Sequence, residues 1–246
     1  LLFRSIVGMK LISNIFGSSL GKKYIMAMTG GVLFLFVVGH LLGNLQIFLG
    51  PEAINRYGHF LQTNPELIWP ARIFLLAMLA LHIWSAIKLS VENKTARQVP
   101  YGQYEIIAAS YASRTMLMSG IIVFVFVIYH LLHFTVQVQY VNLTGQNFLT
   151  FTDVIDPAHP RHDIFKMMVV GFSSLWVSLF YVLAMALLCL HLSHGVSSMF
   201  QSVGWKNKVY GPWLDKGGRV VAVLIFLGYV SIPIAVLLGY GKGAIK

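Results

Sequence analysis

Four histidines, His40, His82, His130 and His191, sit deep inside four separate apolar stretches of the chain. A neutral imidazole offers one nitrogen lone pair to a metal ion. Lipid supplies no water to occupy that nitrogen instead, and ionisable residues at membrane depth mark functional sites. Depth sorts the four. His40 and His130 each lie about nine residues, roughly 13 Å of helix, before the same end of their stretches. His82 and His191 lie about eight or nine residues before the opposite end, again roughly 13 Å. Two pairs at two depths predict two bis-histidine haems b. An iron with two strong axial nitrogens has no open position, so it carries electrons and makes no bonds. For any one histidine the plainer reading is a hydrogen bond to a neighbouring helix. Four at matched depths favour ligation.

The elements that must hold these rings follow from composition. The chain is 57% hydrophobic and 11% charged, with a mean hydropathy of +0.73. A membrane-spanning helix needs about 20 mostly apolar residues. Five windows meet that, at 24–49, 67–91, 116–139, 167–199 and 219–240. They predict an all-α membrane protein with five transmembrane helices in one bundle and no soluble domain. Residues 1–23 precede it as an interfacial segment: their spaced Leu, Ile, Phe and Met fit a short amphipathic helix, and no apolar core with a cleavage site makes them a signal. The 24–246 region is then the five-helix di-haem domain.

Charge orients the bundle. The net charge of +10 does not mean nucleic acid, because the basic residues cluster near the span ends. With the N-terminus cytoplasmic, twelve Lys and Arg fall on the inner side and six on the outer. The prediction is N-terminus in, C-terminus out. All eight carboxylates lie outside the five windows, which argues against a buried acidic proton relay. The single cysteine, Cys189, excludes an intrachain disulfide and an iron–sulfur cluster held by this chain alone. No C-x-x-C-H occurs, so the haems are not attached by the usual c-type motif.

The loops read as connections. Gly50-Pro51 and Asn64-Pro65 mark turns in the outer segment 50–66. The inner segment 92–115 is rich in tyrosine (Tyr101, Tyr104, Tyr111), and both inner connections are long enough for a docking surface. The outer segment 140–166 holds Asp156-Pro157-Ala158-His159-Pro160. Small residues beside the ligands would admit a flat macrocycle: Gly39, Gly43, Ala80, Ala86 and Gly195. For the propionates, Arg114 and Lys88 suit the inner haem, and Arg56 and Arg72 the outer. His133 and His194 follow His130 and His191 by three residues and share a helical face with them. The deeper residue of each pair is preferred as ligand, leaving His133 and His194 for propionate or quinone contacts.

Several stretches carry a resemblance that covers Lys22 to Gly239. They are Gly39-His40-Leu41-Leu42-Gly43-Asn44, Leu81-His82-Ile83-Trp84, Ala112-Ser113-Arg114-Thr115-Met116, Tyr129-His130-Leu131-Leu132-His133-Phe134-Thr135, Leu190-His191-Leu192-Ser193-His194-Gly195 and Phe200-Gln201-Ser202-Val203-Gly204. In order and spacing the chain resembles the di-haem cytochrome b membrane anchor (cytochrome b558 type) of succinate dehydrogenase and fumarate reductase. The resemblance implies five transmembrane helices with two haems b, ligated by the same pairs that depth gives. It implies two partners on the cytoplasmic side, a flavoprotein that oxidises succinate and an iron–sulfur protein. It further implies electron transfer to a membrane quinone, with menaquinone the first candidate, in a bacterial cytoplasmic membrane. The succinate site itself would lie on a partner.

A quinone needs an apolar slot and donors at its carbonyls. Near the outer haem Asn44, Gln46, His59, Gln62 and Trp69 are candidates, and near the inner one Lys23, Ser85 and Trp205. Two other readings compete. One is the haem b subunit of another quinone-linked dehydrogenase, such as a hydrogenase or nitrate reductase. The other is a transporter with a histidine-lined path, which predicts internal repeats or broken helices.

Overall fold

The computed structural model describes residues 15–96, 114–153 and 160–244. The predicted contributions of most of the N-terminal segment, of Tyr101, Tyr104 and Tyr111, and of Asp156 to His159 lie outside the described residues. Among the described residues five helices are long and apolar enough to cross a membrane, so the chain is a helical bundle of the multi-pass membrane type.

Helix α1 (Ser19–Leu45) starts at Ser18, whose hydroxyl accepts the Gly21 N–H at 3.0 Å and satisfies one free donor of the first turn. It tightens into a 3-10 turn, Gln46–Leu49, that ends at Gly50. Gly50 has φ of 100°, a backbone state that side-chain-bearing residues avoid. Pro51 then opens α2 (Pro51–Thr63) at a position where its missing N–H costs nothing. The expected loop 50–66 is therefore mostly helix. Its apolar face packs down, with Ile54 and Asn55 buried, and Gly58 lets Ile164 approach its backbone closely. Helix α3 (Pro65–Thr95) likewise opens on a proline.

Helix α4 (Met116–His130) runs into a π-turn, Leu131–Thr135, closed by Val136 N–H on the Leu131 carbonyl at 2.7 Å. Gln137, with φ of 60°, stops it, so the third span is shorter than its window. A small hairpin follows, β1 (Thr152–Asp153) antiparallel to β2 (Arg161–His162).

The fourth window, expected as one helix, divides into α5 (Ile164–Ser173) and α6 (Leu175–Ser202). Ser174 is extended at the break, with ψ of 119°. Local hydroxyls take over the freed backbone groups: Ser173 Oγ donates to the Val169 carbonyl and Ser178 Oγ to the Phe172 carbonyl, both at 2.7 Å. Helix α7 (Gly211–Leu237) completes the bundle.

Packing is uneven. Helices α6 and α7 form the closest pair, α1 packs on α3, α6 and α7, and α4 packs on α6. Neither α1 with α4 nor α3 with α6 makes an extended contact. Those gaps lie where the histidines are. The main core gathers Phe126, Phe165, Phe172, Tyr181 and Val236 towards the end that carries α2 and the hairpin. We call this the hairpin end. There the amide of buried Asn55 donates to Asp153 Oδ2 at 2.9 Å and Asp163 Oδ1 at 3.1 Å, and its carbonyl accepts the Phe165 N–H at 2.8 Å. Arg161 joins Asp153, at 2.9 Å, to Glu52. At the opposite, lysine end, buried Lys22 pairs with Glu92 at 2.5 Å and ties α1 to α3. Lys206 pairs with Asp215 at 2.7 Å and bonds Ser197 Oγ at 2.9 Å, tying α6 to α7.

Candidate functional site

The four deep histidines come from four helices: His40 from α1, His82 from α3, His130 from the last residue of α4 and His191 from α6. They meet as two pairs. The rings of His40 and His130 stand 5.7 Å apart between centres, near the hairpin end, with planes at 84°. Those of His82 and His191 stand 6.4 Å apart, nearer the lysine end, at 66°. These are the pairs that sequence depth predicts.

The spacing tests whether a haem fits. An imidazole nitrogen sits roughly 2 Å from a first-row metal ion and about 1 Å from its own ring centre, so two rings on opposite sides of one ion stand about 6 Å apart. Both pairs have that separation. Each pair also bridges two helices that make no extended contact with each other. Among the described residues no three His, Cys, Asp or Glu converge on one point. Two nitrogens are too few for a structural zinc site, which takes four ligands. They suffice for a macrocycle that brings its own equatorial nitrogens. The residues present fit a bis-histidine haem at each level.

Ring orientation strengthens the fit. Thr29 Oγ1 donates its one hydrogen to the Ile25 carbonyl at 2.7 Å and lies 3.2 Å from His82 Nδ1. With that hydrogen committed, the oxygen accepts, so Nδ1 carries the imidazole proton and Nε2 keeps a bare lone pair. Ser119 repeats the arrangement on the partner ring: Oγ donates to the Met116 carbonyl at 3.1 Å and lies 3.3 Å from His191 Nδ1. Metal-ligating histidines are fixed by such an acceptor at the second nitrogen. At the other pair the Tyr181 hydroxyl lies 3.3 Å from His130 Nδ1. His40 makes no side-chain hydrogen bond among the described residues; its ring stacks on Phe36 at 5.3 Å.

Thr29, Ser119 and Tyr181, which sequence alone does not single out, are the hydroxyls in contact with these rings. Their signal was present: each is a hydroxyl inside an apolar window. Two glycines were missed as well. A Cβ at Gly30 would come within 3.1 Å of the His82 ring, and one at Gly120 within 3.4 Å of the His191 ring. Of the small residues expected to admit a macrocycle, Gly39 and Gly195 have open space beside them, whereas Gly43 is filled by Tyr57 at 2.9 Å.

The remaining candidates divide by place. Arg114 is exposed at the start of α4, Lys88 is exposed on α3 and Arg56 is exposed on α2. Arg72 is exposed and lies 5.2 Å over the Trp69 ring. The Asn44 amide donates to the His40 carbonyl at 2.7 Å, so it braces the helical turn that carries His40. Gln46 begins the 3-10 turn. His59, Gln62 and Trp69 are exposed at the hairpin end. An apolar groove lined by Tyr129, Leu143, Trp176, Val177 and Phe180 opens beside α4 and α6 near that end. His194 lies half-buried on α6, one turn beyond His191. His133 is wholly buried and bonds Tyr181 at 2.9 Å.

Comparison with protein-family models, with curated proteins and with solved structures finds no match to this chain.

Proposed function

We propose that this chain is the membrane anchor and electron-transfer subunit of a succinate:quinone oxidoreductase, a respiratory complex II. His40 and His130 hold one haem b, and His82 and His191 the other. The observation that carries the reading is the meeting of four histidines as two pairs, 5.7 and 6.4 Å between ring centres, across helix pairs that make no extended contact. A haem bound between two imidazoles supplies one-electron transfer and no bond chemistry.

The chain's own residues do the positioning. Thr29 and Ser119 hold the Nδ1 protons of His82 and His191 and leave both Nε2 atoms free. The apolar bundle keeps water from the rings, and the Lys22–Glu92 and Lys206–Asp215 pairs fix the helix ends below the inner pair. The lysine end is assigned to the cytoplasmic side of a bacterial cytoplasmic membrane, a reading that the excess of basic residues there supports. A flavoprotein that oxidises succinate and an iron–sulfur protein dock on that side and deliver electrons. A membrane quinone, menaquinone in the first instance, takes them up. This chain carries no dicarboxylate site.

The test is a reduced-minus-oxidised spectrum with pyridine haemochrome quantification on the purified chain, followed by identification of co-purifying proteins. Two haems b per chain, with a flavoprotein and an iron–sulfur protein, are expected. A colourless preparation overturns the reading. A haem-bearing chain bound to some other dehydrogenase would move it to that enzyme.

A further inference from the structure

We propose that His133 and Tyr181 act together as a positioning pair for His130, an inference that rests on the haem reading above. The Tyr181 hydroxyl lies 2.9 Å from His133 Nδ1 and 3.3 Å from His130 Nδ1. A phenol has one hydrogen, so it donates to one ring and accepts from the other. The two choices differ in consequence. If Tyr181 donated to His130, that ring would carry its proton on Nε2 and have no lone pair for iron. If it donates to His133, its oxygen accepts the His130 Nδ1–H and His130 Nε2 is bare. The shorter contact is the one to His133, which selects the second arrangement.

The surroundings hold this choice in place. The π-turn carries His133 into the interior, where it is 0% exposed. Phe126 and Phe172 each set a ring edge against Tyr181, both with centres 5.0 Å away. His40 has no hydrogen bond, so Tyr181 is the one polar orienter of this pair among the described residues. His133 Nε2 has no partner and faces Gly171. The arrangement puts the remaining proton of His133 on this nitrogen, and that unpaired buried N–H is its cost. The other pair needs no such relay, because the Thr29 and Ser119 hydrogens are fixed by carbonyls of their own helices.

Redox titration and low-temperature electron paramagnetic resonance of the full haem-loaded chain test this. An acceptor at Nδ1 makes the ligand more basic, which favours ferric iron. Tyr181→Phe and His133→Leu are therefore expected to raise the midpoint potential of one haem and shift its resonance, leaving the other unchanged. His133→Asn, whose amide oxygen replaces Nδ1 as acceptor, restores the wild-type potential. Unshifted haems in both Tyr181→Phe and His133→Leu would overturn the proposal while leaving the haem reading intact. So would a His133→Asn variant that behaves as His133→Leu, since packing alone would then explain the residue. If His133→Leu does not accumulate, Tyr181→Phe and His133→Asn decide. A wild-type chain without haem would overturn both readings.

Discussion

At the lysine end, His82 and His191 each face a hydroxyl from a neighbouring helix, Thr29 on α1 and Ser119 on α4, whose own hydrogen is tied to its own backbone. At the hairpin end, His130 faces a tyrosine whose hydrogen depends on another histidine, and the His40 ring has no hydrogen bond among the described residues. The first pair is oriented by local helix geometry, which exists as soon as α1 and α4 form. The second is oriented by side chains that must be packed by α6, the π-turn and the aromatic core. The two sites therefore differ in how much of the fold each one needs.

That contrast can be broken most directly at the ligands. His40→Ala should remove one haem per chain and spare the other, and His82→Ala should do the reverse, as counted by haemochrome assay. Loss of both haems in a variant that still folds would mean the pairs are not independent. Next in size is the buried amide that anchors the hairpin end. Asn55→Ala takes one hydrogen bond each from Asp153 and Asp163 and leaves the buried Phe165 N–H without its acceptor, which should cost about 3 kcal/mol. On heating, the His40–His130 haem should then be lost earlier than in wild type, with the other little changed.

A finer cut separates the local hydroxyls. Thr29→Val keeps the shape and removes the oxygen, so haem retention at His82–His191 should fall by about 10-fold or more. Transfer of haem to an apo-acceptor protein measures it, and an effect at His40–His130 would sink the assignment. The smallest effect is acid sensitivity at the hairpin end. The hydrogen bond from Arg161 holds the Glu52 carboxyl below its usual range. Its contribution is then present above the unfolded-state value and is lost as pH falls through the lower folded value. Glu52→Gln should flatten that acid step, seen by protease cleavage of the hairpin region, and leave neutral behaviour almost unchanged.

Much of this was legible in the sequence. Hydropathy gives five spans because lipid demands length and apolarity and little else, and helical rise alone places His40 with His130 and His82 with His191. The rest was hidden for physical reasons. The break at Ser174 leaves no trace in hydropathy, because a few serines barely lower the mean of a long apolar window, yet the Ser173 and Ser178 hydroxyls bond backbone carbonyls at the interruption. Gly50-Pro51 punctuates turns and so points to a loop, whereas the same pair also opens helices, as it does for α2. Gly30 and Gly120 are two among 22 glycines, and only the fold shows that they face the rings. His133 was set on the same helical face as His130, a spacing argument that holds only in regular α-helix.

The π-turn at Leu131–Thr135 has a consequence for how such a chain changes over generations. An α-helix turns about 100° per residue, and a π-turn accommodates one surplus residue without ending the helix. Deleting a single residue between 131 and 135 would return the segment to regular pitch and swing everything after it by roughly that angle. His133 would leave Tyr181 while His130, upstream, stayed where it is. Deleting Leu131 or Leu132 should therefore be tolerated for span length yet break the histidine–tyrosine contact.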